Sequence, residues 1–310
     1  LLKRLYRSEH PPSLEGVRYD RSLFRGKRYA PIKPVQFGRG CKFSCDFCSI
    51  HAFYGKSIRQ RPVPEVIEEI RALGSKSLFF VDDNLFADET RIRELLEALV
   101  ALKVKWGCQI SIDVTEDSSL LRLMRRSGCQ CVQIGFESLD ARNLGLMKKA
   151  VNLQQGDYRR ALSRLREHGI MVYGTFVLGY DHDAPESIPA TVDFALKHRF
   201  FLANFNPLMT MPGTPLYRRL REEGRLLFDQ WWTDPRFRYG QAMLRPKGMT
   251  PEQLTEGCLR ARLRFNQVSS LFLRALDPPN RRDLGRVGLF WAANWISRKE
   301  ILAKQGISLG

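Results

Sequence analysis

Three cysteines fall within eight residues, as Cys41-x-x-x-Cys45-x-x-Cys48, in a loop opened by Gly38-Arg39-Gly40. Three thiolates on one short loop can ligate three corners of a cubane iron–sulfur cluster and leave the fourth iron without a protein ligand. An open iron suits a cluster that binds a substrate, whereas structural and electron-transfer clusters take a fourth cysteine. Zinc is the rival: His51 follows Cys48 by three residues, and Cys41, Cys45, Cys48 and His51 would close a Cys3His site. A disulfide framework fits poorly, because seven is an odd number of cysteines and the triad is too tightly spaced. Spacing alone favours the cluster and leaves zinc standing.

The triad follows the first of six strand candidates, 34–39, 77–83, 105–113, 130–137, 170–179 and 201–208. Each is β-branched, aromatic or almost continuously apolar, as strands buried on both faces are. Helical patterns separate them over 64–73, 89–102, 118–127, 157–168 and 186–198, and Gly74, Gly128 and Gly169 stand where a left-handed C-terminal residue belongs. Such alternation with right-handed crossovers predicts an α/β fold with a parallel sheet and chemistry at the strands' C-terminal ends. Several of those ends are polar: Asp82-Asp83-Asn84, Asp113 after alternating Gln109 and Ser111, and Glu137-Ser138. Polar residues facing inward predict a wet ligand cavity. Helix capping and Asx turns compete for the same carboxylates. Cys108, Cys129, Cys131 and Cys258 read as small packing hydrophobes.

At 310 residues, 44% hydrophobic and 27% charged, the chain has material for a large core. We divide it into a linker or N-terminal extension (1–32), a catalytic core (33–210) and a helical C-terminal cap (211–310). The first segment is polar and Pro-containing and begins at Leu1, so an N-terminal part is expected to be missing. No leader or membrane-length apolar run is visible, and the cysteine usage predicts a reduced, cytoplasmic setting. The net charge of +17 is concentrated near the start, with fourteen Lys/Arg against four Asp/Glu in residues 1–62. Nucleic acid, an anionic membrane surface, an acidic partner or a plain solvated face would each account for it.

The triad, with Phe47 before its last cysteine, resembles the signature of the radical S-adenosylmethionine (radical SAM) enzymes, and the similarity extends over most of 33–215. The resemblance implies a partial (β/α)6 TIM-like barrel. It also implies a [4Fe-4S] cluster on Cys41, Cys45 and Cys48 whose open iron chelates S-adenosyl-L-methionine. Reductive cleavage would then release methionine and a 5′-deoxyadenosyl radical, with a flavodoxin or ferredoxin as electron donor. It places Phe47, Asp82, Asp83, Asn84, Asp113, Glu137, Ser138, Gly174 and Gly179 around the cosubstrate. Asp82-Asp83-Asn84 stands where the family has a Gly-Gly-Glu-like stretch that holds the methionyl ammonium. Tyr173–Gly179 is similar to a glycine-rich stretch that lets the backbone approach adenine.

Asp82-Asp83-Asn84, Gly135-Phe136-Glu137-Ser138 and the Arg28–Ile32 entry look most like the cobalamin-binding branch, many of whose members methylate unactivated carbon. That implies C-methylation of a small-molecule or lipid substrate, with cobalamin on an N-terminal domain. No Asp-x-His-x-x-Gly signature is present, and Asp181-His182-Asp183 is only superficially similar. The segment 284–304 carries Trp291 and Trp295 beside Arg298 and Lys299, which would suit peripheral membrane contact, although docking on the barrel is the preferred reading. Radical-based tRNA modification and a zinc-dependent nucleic-acid-binding module remain as alternatives. No small β-barrel RNA module is visible, which counts against nucleic acid.

Overall fold

A six-stranded parallel sheet organises the computed structural model, which describes residues 11–24, 26–27, 29–154 and 158–308. The strands are β1 (Lys33–Val35), β2 (Gly38–Arg39), β3 (Arg59–Gln60), β4 (Ser77–Phe80), β5 (Lys105–Ile110), β6 (Cys129–Glu137), β7 (Met171–Leu178) and β8 (Leu202–Pro207). Their order in the main sheet is β1-β4-β5-β6-β7-β8, with every pair parallel, while β2 and β3 form a small antiparallel ribbon.

Helices α1 (Ser49–Tyr54), α2 (Val63–Leu73), α3 (Glu89–Leu102), α4 (Ser118–Arg126), α5 (Ala141–Leu146), α6 (Ala150–Gln154), α7 (Tyr158–Glu167) and α8 (Ser187–Lys197) fill the connections. Four more, α9 (Pro215–Glu222), α10 (Pro251–Phe265), α11 (Val268–Ala275) and α12 (Leu284–Lys304), follow the last strand. This is the expected α/β partial barrel with helices at its C-terminus. Among the described residues, no helix is long and apolar enough to cross a membrane.

The sheet has two unlike faces because side chains alternate along each strand. One row (Phe80, Cys108, Ile134, Phe136, Phe176, Phe205) is fully buried under the helices, and Phe176 stacks on Phe205 at 5.5 Å. The other row carries Gln109, Gln133, Tyr173, Thr175, Asn204 and Asn206, which are exposed or half-buried. The inner wall is therefore polar and open, as the alternation around Gln109 predicts.

Two expected strands end early. The stretch 34–39 divides, because the chain turns after Val35 and Gly38 leaves the sheet to pair with Gln60. The strand from Ser77 stops at Phe80, and the one from Lys105 gives way to a 3-10 turn over Ile112–Glu116. The expected linker is partly packed: Leu14 is buried, Gly16 N–H donates to Glu65, and Arg21 pairs with Glu69 on α2. Residues 1–10 lie outside the described part.

Two carboxylates brace strand exits. Asp82 accepts the amides of Phe37 (3.1 Å) and Gly38, and Asp183 accepts those of Gly179 (2.8 Å) and Tyr180 (3.0 Å). Burial outweighs these hydrogen bonds and pushes the acids up, Asp82 to about 7 and Asp183 to about 6. A third buried group ties the cap to the sheet. Arg274 is fully buried and donates to the carbonyls of Phe200 (3.0 Å), Phe201 (2.9 Å) and Phe265 (3.1 Å), and burial brings its pKa down to about 9.

Arg274→Met is expected to strand those carbonyls and cost about 3 kcal/mol, read from urea denaturation. The raised carboxyls make a separate expectation. Folded-state pKa values above the unfolded one favour the protonated form, so their contribution is complete at low pH and is lost as pH rises through about 6 and 7. Denaturation midpoints should fall between pH 5 and 8, and Asp82→Asn or Asp183→Asn should flatten that slope.

Candidate active site

The cysteine loop begins at Gly40, whose φ of +97 and close approach to the Ser57 carbonyl admit no side chain. Its amide donates to Asp83 at 2.8 Å. Cys41 is half-buried, with Asn84 Nδ2 3.8 Å from its sulfur. Cys48 sits at the N-terminus of α1 without a side-chain capping hydrogen bond; burial raises its pKa, and the nearby amides of Ile50 and His51 pull against that rise. Cys45 is buried, and its amide-bearing neighbour Asp46 is held at three points. Asp46 N–H donates to the Met147 carbonyl (3.1 Å), its carbonyl accepts Leu216 N–H (3.1 Å), and its carboxylate accepts the Tyr180 hydroxyl.

Lys149 is a charge felt by two of the three thiols. Its ammonium pairs with Glu137 at 2.7 Å and acts electrostatically on Cys45 and Cys48. Burial drives Cys45 up to about 11, against the pull of Lys149 and with a push from Cys48, Glu137 and Cys41. Burial opposes the charge on Lys149, but Glu137 and Cys45 more than compensate and its pKa is raised. The three thiols thus share one electrostatic neighbourhood with an ammonium, two peptide N–H groups and a carboxamide. These groups partly offset the burial that raises Cys45 and Cys48, and three thiols grouped on one loop fit an iron–sulfur cluster.

The zinc reading gains no support. Among the described residues no three His, Cys, Asp or Glu are close enough to hold a single metal ion, and His51 Nδ1 is engaged by the Gly55 carbonyl at 3.1 Å. Thiolates on a cubane stand farther apart than those on one ion.

The remaining predicted residues separate into near and far. Asn84 touches Cys41, while Asp113 pairs with Lys42 beside it at 2.8 Å. Glu137 is turned by a φ of +63 at a bulge of β6, which is the distortion that brings its carboxylate to Lys149. Asp82 and Asp83 spend their oxygens on loop amides, so they position the loop. Phe47 packs with the apolar group around Met147, Tyr180 and Leu216. Ser138 braces the turn to α5 through Asp140 N–H (3.1 Å).

Gly174 and Gly179 correct an expectation. A side chain on Gly174 would strike the Phe200 ring on the helix-covered face, and one on Gly179 would strike Leu254 of α10. Protein atoms fill the room that was expected to admit a ligand. Cys108, Cys129, Cys131 and Cys258 are free thiols raised chiefly by burial, the last two to about 12, in keeping with packing roles. Lys149, Asp46 and Tyr180 had no sequence signal, since no spacing rule links 46, 149 and 180.

A radical SAM superfamily model matches residues 35–195. The bacteriochlorophyllide d C-12(1)-methyltransferase of Chlorobaculum tepidum is 33% identical over 82% of this chain and 56% of its own length. The hopanoid C-2 methylase of Rhodopseudomonas palustris is 29% identical over 63% of this chain and 39% of its own. The chain thus spans about half or less of these relatives. A solved structure of the radical S-adenosylmethionine methyltransferase TsrM from Kitasatospora setae, with cobalamin and a [4Fe-4S] cluster, shares the fold. Its TM-score is 0.56, with 20% identity over 84% of this chain and 51% of that one. The cysteine motif, the six-stranded half-barrel and these similarities agree: the chain belongs to the radical SAM superfamily.

Proposed function

We propose that Cys41, Cys45 and Cys48 hold a [4Fe-4S] cluster and that the enzyme C-methylates a small-molecule or lipid substrate with cobalamin as partner cofactor. The observation that carries the first part is the convergence of three thiols, Asn84, Lys149 and the α1 amides at the exits of β1, β4 and β6. When bound, the cluster supplies the electron that cleaves S-adenosylmethionine to methionine and a 5′-deoxyadenosyl radical. The second part is supported by the methyltransferase relatives, and by a structural neighbour described with cobalamin. The sequence carries no Asp-x-His-x-x-Gly stretch. Asp181 is taken up by Arg219, Arg225 and Lys247, and Asp183 braces β7, so Asp181-His182-Asp183 does not fill that place.

The chain's own residues would act as follows. Asp82 and Asp83 keep the loop amides fixed, so the thiols are presented together. Lys149 would offer the methionyl carboxylate a buried cation in the neighbourhood of Cys45, and Glu137 would accept from the cosubstrate's polar hydrogens once that ion pair opens. The half-barrel 33–210 is the catalytic core, with 211–310 as its cap. A one-electron donor such as a flavodoxin or ferredoxin supplies reducing equivalents.

Anaerobic reconstitution should give a brown protein that forms 5′-deoxyadenosine with dithionite and S-adenosylmethionine. Cys45→Ala should abolish that product, and zinc without iron in the purified protein would sink the proposal. Lys149→Met should weaken S-adenosylmethionine binding by about 10- to 100-fold, the loss of a charge-assisted contact. Equilibrium dialysis measures this, with iron content unchanged.

A further inference from the structure

Four arginines are almost fully buried, and three of them are spent on groups within the protein, although Arg61 Nε and Arg286 Nε find no partner there. Arg61 pairs with Glu69, Arg274 is surrounded by carbonyls, and Arg286 reaches the carbonyls of Gly169 and Pro279 with Asp283 beside it. Arg262 on α10 is different. It is 8% exposed and, like Arg274, has no carboxylate partner among the described residues, but unlike Arg274 it lines a cavity. Its fork makes two hydrogen bonds, Nε to the Cys258 carbonyl (3.2 Å) and Nη2 to Gln305 Oε1 (2.9 Å). A guanidinium has five N–H donors, and a buried one without a counter-charge is costly.

The rest of that fork lies against a cavity of about 440 Å³ between α12 and the inner faces of β7 and β8. Tyr173, Asn204 and Asn206 form its sheet wall, the last with no side-chain partner among the described residues, and Asn204 donates to the Tyr173 hydroxyl at 2.6 Å. Lys304 and Glu300 stand on the α12 side, paired with each other at 2.8 Å and half exposed. Arg262 and Lys304 against Glu300 leave one positive charge in excess. The sheet wall is the same polar face that carries Gln109 and Gln133, so a group held here leaves the rest of a ligand lying across the open barrel.

We propose that this cavity is an anion subsite, in which Arg262 takes a carboxylate arm of the substrate. A planar fork matches a carboxylate by two parallel hydrogen bonds, and such a ligand would supply the missing counter-charge. The substrate is then a carboxylate-bearing molecule and not a bare hydrocarbon. This deepens the reading of the chain as an enzyme acting on a small molecule and rests on it. The binding test needs no turnover, so the two can fail separately: absence of 5′-deoxyadenosine from the reconstituted wild type counts against the radical reading alone.

The experiment titrates the reconstituted full chain, by quenching of tryptophan fluorescence, with protoporphyrin IX, its dimethyl ester and a pentacyclic triterpene hydrocarbon. Inorganic phosphate is added alone in a thermal-shift arm. The expected result is tighter binding of the diacid than of the diester by about 10- to 100-fold, the worth of a charged hydrogen bond. Arg262→Met should erase the difference, and Arg262→Lys should restore part of it. Equal binding of diacid and diester to the wild type overturns the proposal whether or not the variant folds, as does preference for the triterpene. Arg262-dependent stabilisation by phosphate with no preference for the diacid assigns the cavity to a free anion and also overturns it.

Discussion

The cysteine loop leaves the main sheet after Val35, and before α2 only the short β2–β3 ribbon pairs, so little of its conformation is set by strand pairing. Its backbone is held instead by side-chain carboxylates. Asp82 takes the amides of Phe37 and Gly38, Asp83 takes that of Gly40, and Asp46 is moored to Tyr180 from within the triad itself. These acids come from β4's exit and from the loop, and Tyr180 comes from β7's. The thiols are therefore positioned by two distant strands as much as by their own segment. Placing carboxylates on amide donors satisfies groups that a buried loop would otherwise leave unpaired.

That dependence makes the sheet a scaffold whose two faces do different jobs. The helix-covered face is packed so tightly around Phe136, Phe176, Phe200 and Phe205 that Gly174 is needed to seat the Phe200 ring. Such packing fixes the strand exits from which Asp82, Glu137 and Tyr180 project. The inner face is left with carboxamides and hydroxyls that find few partners within the protein. Rigidity on one side and unsatisfied polarity on the other is what a pre-formed ligand site requires.

Much of this was legible in the sequence. The triad and the strand–helix alternation follow from local pattern, and α12 covers the 284–304 segment singled out from its composition. Helices α1, α5, α6 and α11 were not legible, because segments of five to eight residues contain too few turns to show a period. The glycines of β7 misled for a different reason. A glycine in a strand signals close approach, but the sequence does not say by what, and at Gly174 the answer lies at Phe200. Lys149 and Tyr180 were hidden because their importance comes from long-range proximity to Cys45 and Asp46.

The basic excess is the feature whose meaning the fold changes most. Read from the sequence, Lys and Arg crowded into residues 1–62 suggest an anionic partner. Within the described part of that segment, Arg21 and Arg61 converge on Glu69, Arg59 reaches the Pro12 carbonyl and stacks over Tyr54, and Lys42 pairs with Asp113. Arginine is being used here as an internal connector, satisfying carbonyls and acids between segments that lack regular hydrogen bonding. The same use recurs in the cap, where Arg274, Arg286 and Arg298 all donate to backbone carbonyls. Arg262 has the burial of a connector and two hydrogen-bond partners, but it also lines a cavity that the polar inner wall of the barrel shares. What sets Arg262 apart from the other connectors is its place on the wall of that cavity, and that place is what makes a ligand the physical reading of it.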